Sequence, residues 1–398
     1  MSGYEDSVPA YLTVRMTAPE GPIAALADEE AWYARERYPD LLGAGMAEYF
    51  WARELETGGW ELCEYGGSWP QQARDSLGSH FRLNAQRAGK GGDANAQRRW
   101  FAAALRMDRE VVNEVSVLGE RFRIVRAAHF IRSGPAGPEP PRPTDPDPAE
   151  VGDGHRVPSR TKGFVVDPLT GTGMSDGILK LDLLPMAPVL RDAPEEMNDE
   201  ARAAIHRYPG GVLLPAAFVI SARVNGRWGF HQPGSIYSTP QGARDSLAFW
   251  LRVMEPFQQR MPEEQKAEYV AAADRLDEKR SNVVTIDGHR FRITRVERLV
   301  RIGPDGPELP RPSDYDPEVP VEVQTRQLRE EGVIDEDGND LRPERPDPRA
   351  DELRRLWQEE EARRVAWQAA RKRARAAAAG PSPDPDPDPD PTPDPDPA

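Results

Sequence analysis

The sequence contains a single cysteine, Cys63, so it can form neither an intramolecular disulfide nor a structural zinc site built from several thiolates. No stretch approaches 18 consecutive apolar residues, which argues against a membrane-spanning helix. The first thirty residues lack a basic segment followed by an apolar core, so we expect no signal peptide and a cytoplasmic location.

The common catalytic motifs are missing as well. The sequence has no G-x-S-x-G elbow, no kinase motifs and no Walker loop, and the glycines of GTGMSDG at 171–177 are not followed by lysine. The six histidines show neither an i,i+4 pair nor a metal-like spacing. We therefore predict no catalytic residue, no metal and no cofactor, and favour a protein that is not an enzyme.

Net positive charge is also absent, since the formal net charge at pH 7 is -15. Such a chain repels phosphate backbones unless its basic residues are segregated on one face. This balance disfavours nucleic acid and leaves two kinds of partner open, an unknown protein or a small anionic ligand.

One long segment, in contrast, is present twice. GERFRIVRAAHFIRSGPAGPEPPRPTDPDP begins at 119, and GHRFRITRVERLVRIGPDGPELPRPSDYDP begins at 288, an offset of 169 residues. The offset nearly holds upstream, where PQQARDSL from Pro70 aligns with PQGARDSL from Pro240. We predict an internal tandem duplication of a unit of about 140 residues. The predicted organisation is a first half at 9–150, a linker at 151–177 and a second half at 178–320.

Local patterns within each half predict the α+β class with antiparallel hairpins. YLTVRM and ILKLDLL are expected to be strands, and Pro70 and Pro240 are expected in the first turn of a helix. Tight turns are predicted at Gly58-Gly59, Leu118-Gly119, Asn225-Gly226 and Asp287-Gly288. We expect the halves to pack around a pseudo-twofold axis, with a groove between them as the natural ligand site.

The remaining chain differs in composition. Residues 321–380 are charged and predict a linker followed by an exposed helix, which ends in a basic cluster at 371–375. The last segment, 381–398, repeats Pro and Asp and is expected to be a disordered acidic tail.

Charged residues that both halves share are the candidate binding residues. Alternation along the strands places their arginines opposite the face that carries Phe122 and Phe291. Two interpretations are open: an anion-binding surface, or a structural strap in which these arginines pair with the Glu and Asp of the Pro-rich segment and hold it on the sheet. The candidates are Arg74, Asp75, Arg121, Arg123, Arg142, Arg244, Asp245, Arg290, Arg292 and Arg311.

VPAYLTVRM, WELCEYGG, ARDSL, FIRSGPAGPEPPRPTDPDP and GMSDGILKLDLL together resemble an uncharacterised actinobacterial family, known only as a domain of unknown function. The resemblance covers roughly 1–320 and implies a bacterial, cytoplasmic protein without supplying an activity.

Three functional hypotheses follow. The first is a non-enzymatic binding or scaffold protein. The second is an enzyme or a binder of a small anionic ligand, with a site in the groove built from Arg74, Asp75, Arg244 and Asp245. The third is a nucleic-acid binder that uses the strand arginines and the cluster at 371–375.

Overall fold

The computed structural model describes residues 9–63, 66–187, 193–342 and 347–379. The described residues up to 342 belong to one compact unit, and 347–379 belong to a second. The predicted Pro-Asp tail at 381–398 lies outside the described residues.

The first half alternates helices with hairpins. Its elements are α1 (Pro22–Arg37), β1 (Asp40–Glu54), β2 (Trp60–Leu62), α2 (Pro70–Lys90), α3 (Ala94–Arg109), β3 (Glu114–Val117), β4 (Glu120–Gly134) and β5 (Gly137–Pro138). The linker adds β6 (Val165–Val166) and α4 (Met174–Leu183).

The second half repeats the order of the first. Its elements are α5 (Glu195–Arg207), β7 (Gly210–Val224), β8 (Arg227–Phe230), α6 (Pro240–Phe249), α7 (Glu255–Gln259), α8 (Glu263–Lys279), β9 (Val283–Ile286), β10 (His289–Gly303) and β11 (Gly306–Pro307). One π-helical turn, Trp250–Met254, joins α6 to α7. The helices α9 (Val321–Glu330) and α10 (Pro348–Ala379) follow.

One antiparallel sheet runs through both halves. The strand order is β6-β2-β1-β4-β10-β7-β8, with β3 and β5 on β4 and with β9 and β11 on β10. The strands β4 and β10 pair over four residues only, centred on His129 opposite Arg298. These two positions are counterparts at the offset of 169, so the pairing is locally pseudo-twofold. The predicted α+β class is confirmed, and the origin of the halves by duplication stays a prediction.

The core follows the same arrangement. In each half, two helices cover the sheet: Phe81 and Trp100 pack on Phe122 in the first half, and Leu247 and Leu276 pack near Phe291 in the second. A further cluster joins side chains of both halves, including Phe50, Val125, Val212 and Val300. Burial of apolar surface therefore stabilises the halves jointly.

Two predicted strands are wrong. YLTVRM forms a 3₁₀ turn, Ala10–Leu12, and then a single bridge from Met16 to Thr172. ILKLDLL lies in α4, where Leu179 and Leu183 are buried one helical turn apart. A short apolar run fits a strand or a buried helix equally well, and here the tertiary packing decides.

The local turn predictions agree with the structure. Leu118, Asn225 and Asp287 adopt positive φ, each followed by a glycine that also has positive φ. Pro70 and Pro240 begin α2 and α6. The exposed helix predicted near the C-terminus corresponds to α10.

Candidate functional site

The Pro-rich segments that follow β4 and β10 pack on each other's half. We call them the first coda and the second coda, residues 134–147 and 303–316. The amide of Arg126 donates to the carbonyl of Glu308 over 2.8 Å, and the amide of Arg295 donates to the carbonyl of Glu139 over 2.9 Å. Each coda therefore supplies a backbone partner to the central strand of the other half, where an unpaired amide would be costly.

Side chains fasten the codas in the same crossed manner. Arg126 donates from Nε to Asp314 at 3.0 Å, and Arg295 donates from Nε to Asp145 at 3.1 Å. A strap of strand arginines and coda acids is therefore present, and these pairs join the strand of one half to the coda of the other half. The β4–β5 hairpin turns the first coda back along the edge of β4 that β10 shares, and this carries the coda into the second half.

The arginines predicted on the Pro-started helices fasten the ends of the codas. Arg74 is buried and donates to Asp316 at 2.5 Å, and Arg244 is buried and donates to Asp147. Both guanidinium groups also bond side-chain amides, so their donors are engaged within the protein. Their role in the structure is to hold the strap.

The predicted aspartates on these helices differ from one another. Asp245 accepts from the amides of Gly152 and Gly154, both at 2.8 Å, and so fixes the start of the linker. Asp75 accepts from Gln71 at 2.8 Å, and burial raises its pKa.

The strand arginines cover tryptophans. Arg123 lies over Trp60 and donates to the carbonyl of Pro307 at 3.0 Å. Arg292 lies over Trp228 and donates to the carbonyl of Pro138 at 2.7 Å. Arg121 also lies over Trp60 and pairs with Glu54 and Glu114, whereas Arg290 is exposed. Arg142, in the first coda, pairs with Glu139 and Glu297.

A cavity of about 1110 Å³ lies where the halves meet, a volume suited to a small organic molecule. Of the ten predicted residues, all of which the structure describes, Arg311 is the one that lines it. The remaining wall comes from β1, β4, β7, β10 and α5, and from residues in the stretches 66–69, 155–161, 233–238 and 311–315. The predicted linker thus forms part of the wall.

Three charged or polar side chains meet at the cavity wall beside the central strand pair. Glu48 Oε2 accepts from Arg298 Nη1 at 2.8 Å and lies 3.4 Å from His129 Nε2. All three side chains are buried, and Thr161 of the linker accepts from Arg298 at 3.2 Å. A bulge in β1 between Gly43 and Ala47 immediately precedes Glu48.

The electrostatics of this cluster favour a charged carboxylate and a neutral imidazole. Burial alone would raise the pKa of Glu48, but Arg298 and His129 outweigh it, so that pKa lies below its ordinary value. Burial lowers the pKa of His129 even though Glu48 opposes the shift. Neutral His129 can donate from Nε2 to Glu48, which leaves Nδ1 buried without a hydrogen-bond partner among the described residues.

The two halves differ at this cluster. The strand registers align Glu48 with Ala217, and the offset aligns His129 with Arg298. The contacts that fasten the codas occur in both halves, whereas this cluster occurs once. It is therefore not part of the repeated structural framework.

Sequence reasoning missed Glu48, His129 and Arg298 because it selected charged residues that both halves retain. The usable signal was the opposite one, a charged residue aligned with a residue of different charge. A difference in charge between the halves indicates a site only when the side chain also lies in a cavity, because such differences are frequent on any protein surface.

Comparison with known families identifies the family of the chain. The model of a family of unknown function, DUF5954, matches residues 21–317. The chain belongs to this family. The match covers both halves, the linker and both codas, so every residue of the cavity wall lies within the DUF5954 region. No curated protein and no solved structure matches the chain.

Two further observations concern the described residues only. None of their helices is long and apolar enough to cross a membrane. Their His, Cys, Asp and Glu side chains include no group of three or more arranged to hold a metal ion.

Proposed function

We propose that this DUF5954 protein is a non-enzymatic binding protein that holds a small organic molecule in the cavity between its halves. The observation that carries the proposal is that the cavity wall contains a buried cluster that occurs once and is not repeated. The contacts that fasten the codas occur in both halves and account for the buried arginines that bind coda acids. They do not account for Glu48, His129 and Arg298. Polar groups placed in a largely apolar cavity are what orient a small ligand.

The proposal favours a small molecule over a protein partner because the polar cluster is buried rather than displayed. Glu48, His129 and Thr161 are 7%, 1% and 2% exposed. A folded protein partner contacts mainly side chains that are displayed at the surface, and these groups are not displayed there. A ligand of small-molecule size reaches them through the cavity.

The test is a screen of a metabolite library against the purified full-length chain by thermal shift, followed by native mass spectrometry of the hits. Ser238→Trp introduces a large side chain at the cavity wall, and Ala203→Trp places the same side chain on the exposed surface of α5. We expect Ser238→Trp to abolish binding and Ala203→Trp to retain it. Absence of any hit, equal binding by both variants, or chemical conversion of the bound ligand would contradict the proposal.

A further inference from the structure

The second half shows how a carboxylate fits between two coda arginines. Glu297 lies on β10 and accepts hydrogen bonds from Arg295 and, at 3.4 Å, from Arg142. Asp145 and Glu139 complete the group, bonded to Arg295 and Arg142 respectively. We call this arrangement of five side chains the filled site.

The first half builds the same arrangement without the central carboxylate. Arg126 pairs with Asp314 at 3.0 Å, and Arg311 pairs with Glu308 at 2.6 Å, as their counterparts do. The position of Glu297 is taken by Ala128, at the offset of 169. Arg126 Nη1 is 4.0 Å from Glu308, too far for a hydrogen bond. We call this arrangement the open site.

The two sites also differ in their balance of charge. Arg132 adds a third cation beside the filled site, where three arginines face the carboxylates of Asp145, Glu139, Glu297 and Asp176. Arg301 has the same place beside the open site, where three arginines face two carboxylates. Burial, together with Arg311 and Arg126, lowers the pKa of Arg301 to about 10, although Glu308 opposes the shift. The open site therefore has one positive charge in excess.

The two sites also differ in whether they border the cavity. Beside the filled site, α4 supplies Asp176, which interacts with Glu297, Arg295 and Arg142. Beside the open site, Ala128, Arg126 and Arg311 line the cavity, and α5 contributes Met197 and Ala201 to the same wall. A group of the size of a carboxylate can thus reach the open site from the cavity, with an apolar wall next to it.

We propose that the open site binds the carboxylate of an organic monocarboxylate, between Arg126 and Arg311, at the place that Glu297 occupies in the other half. The inference rests on the proposed function of the cavity. The planar guanidinium fork matches a carboxylate, and the single charge balances the excess cation. The body of the ligand lies in the cavity against Met197 and Ala201.

Benzoate and its neutral isostere benzamide are suitable probes, measured by isothermal titration calorimetry on the full-length chain. We expect wild type to bind benzoate at least about tenfold more tightly than benzamide, the preference that one charge-assisted hydrogen-bond pair provides. Ala128→Glu places the chain's own carboxylate in the open site and should weaken benzoate binding by about tenfold or more.

Arg311→Gln is the second variant, and it keeps the test independent of whether Ala128→Glu folds. It should weaken benzoate binding to a similar degree and leave benzamide binding unchanged. Arg202→Gln makes the same chemical change on the exposed surface of α5 and should bind benzoate as wild type does.

Equal affinity for benzoate and benzamide, or undiminished benzoate binding by both variants, would overturn the assignment. If neither probe binds while library ligands still bind and Ser238→Trp blocks them, the monocarboxylate class is wrong and the proposed binding function stands. If the library also yields no ligand, both fail.

Discussion

The crossed codas predict an unequal response of two glycines to the same substitution. Gly137 lies in the first coda with φ +101, and a Cβ there would lie 2.5 Å from Cε2 and 2.9 Å from Cζ2 of Trp228 in the other half. Gly226 has φ +80, and no atom lies within 4 Å of the corresponding Cβ. An alanine at either position would strain the backbone, and only at position 137 would it also clash.

The magnitudes can be worked separately. Positive φ costs an L-residue about 1–2 kcal/mol, which is the whole effect expected for Gly226→Ala. In Gly137→Ala, displacing Trp228 adds about 1–3 kcal/mol of overpacking. Loss of its contact with Arg292, now 5.0 Å from guanidinium carbon to ring centroid, adds about 0.5–1 kcal/mol. The expected loss for Gly137→Ala is therefore about 2.5–6 kcal/mol.

The assay is urea unfolding of the full-length variants, followed by far-ultraviolet circular dichroism at a fixed temperature. Free energies of unfolding would be compared between variants whose dependence on urea concentration has the same slope, because a changed slope indicates a change in the unfolded state. Equal losses for Gly137→Ala and Gly226→Ala would show that the first coda does not pack on Trp228, and the crossed strap would be refuted.

The remaining predictions concern buried charge and pH. Arg244→Met should lower the free energy of unfolding by about 1–3 kcal/mol because it leaves the side-chain oxygens of buried Gln241 and half-buried Asn282 without their donor, while Arg280 still pairs with Asp147. Arg290→Met on the exposed surface should change it by less than about 0.5 kcal/mol, and urea unfolding measures both. The pKa of His129 is lowered in the folded protein, so below about pH 6.5 the unfolded chain binds a proton that the folded chain does not, and stability falls on acidification. His129→Gln should therefore reduce the decrease in the urea midpoint between about pH 7.5 and pH 5.5. His206→Gln, on the exposed surface, is the control and should not reduce it. The raised pKa of Asp75 means that its charge is unfavourable in the fold, so Asp75→Asn should leave the melting temperature at pH 7 unchanged or higher, and a clear decrease in a calorimetric scan would contradict this.

Features fixed by neighbouring residues could be predicted from the sequence. The turn at Asp287-Gly288 needs two residues of positive φ, and Pro240 fits only the first turn of its helix, so these elements follow from local sterics. ILKLDLL was predicted wrongly because its helical face becomes visible only when Leu179 and Leu183 are seen to pack on the sheet.

The exchange of codas could not be predicted, for a different reason. Both halves carry the same arginines and the same coda acids, so pairing within a half and pairing between halves use identical residue types. Arg126 meets Asp314 rather than Asp145 because of the paths that the chain takes after β4 and after β10, which residue composition does not encode. The candidate cavity is accordingly predicted only as a groove between the halves, and Arg311 is the one predicted site residue that lies in its wall.

The pairing of β4 with β10 at the centre of the sheet bears on whether the two walls of the cavity are alike. In an assembly of two identical chains, the positions of His129 and Arg298 would hold the same side chain, and a ligand would meet two equivalent walls in either orientation. A single chain that contains both halves is free of that constraint, and one substitution alters one wall. Glu48 is the counterpart of Ala217, and Ala128 is the counterpart of Glu297, so the two walls differ in charge. A charged ligand bound there would therefore have one preferred orientation.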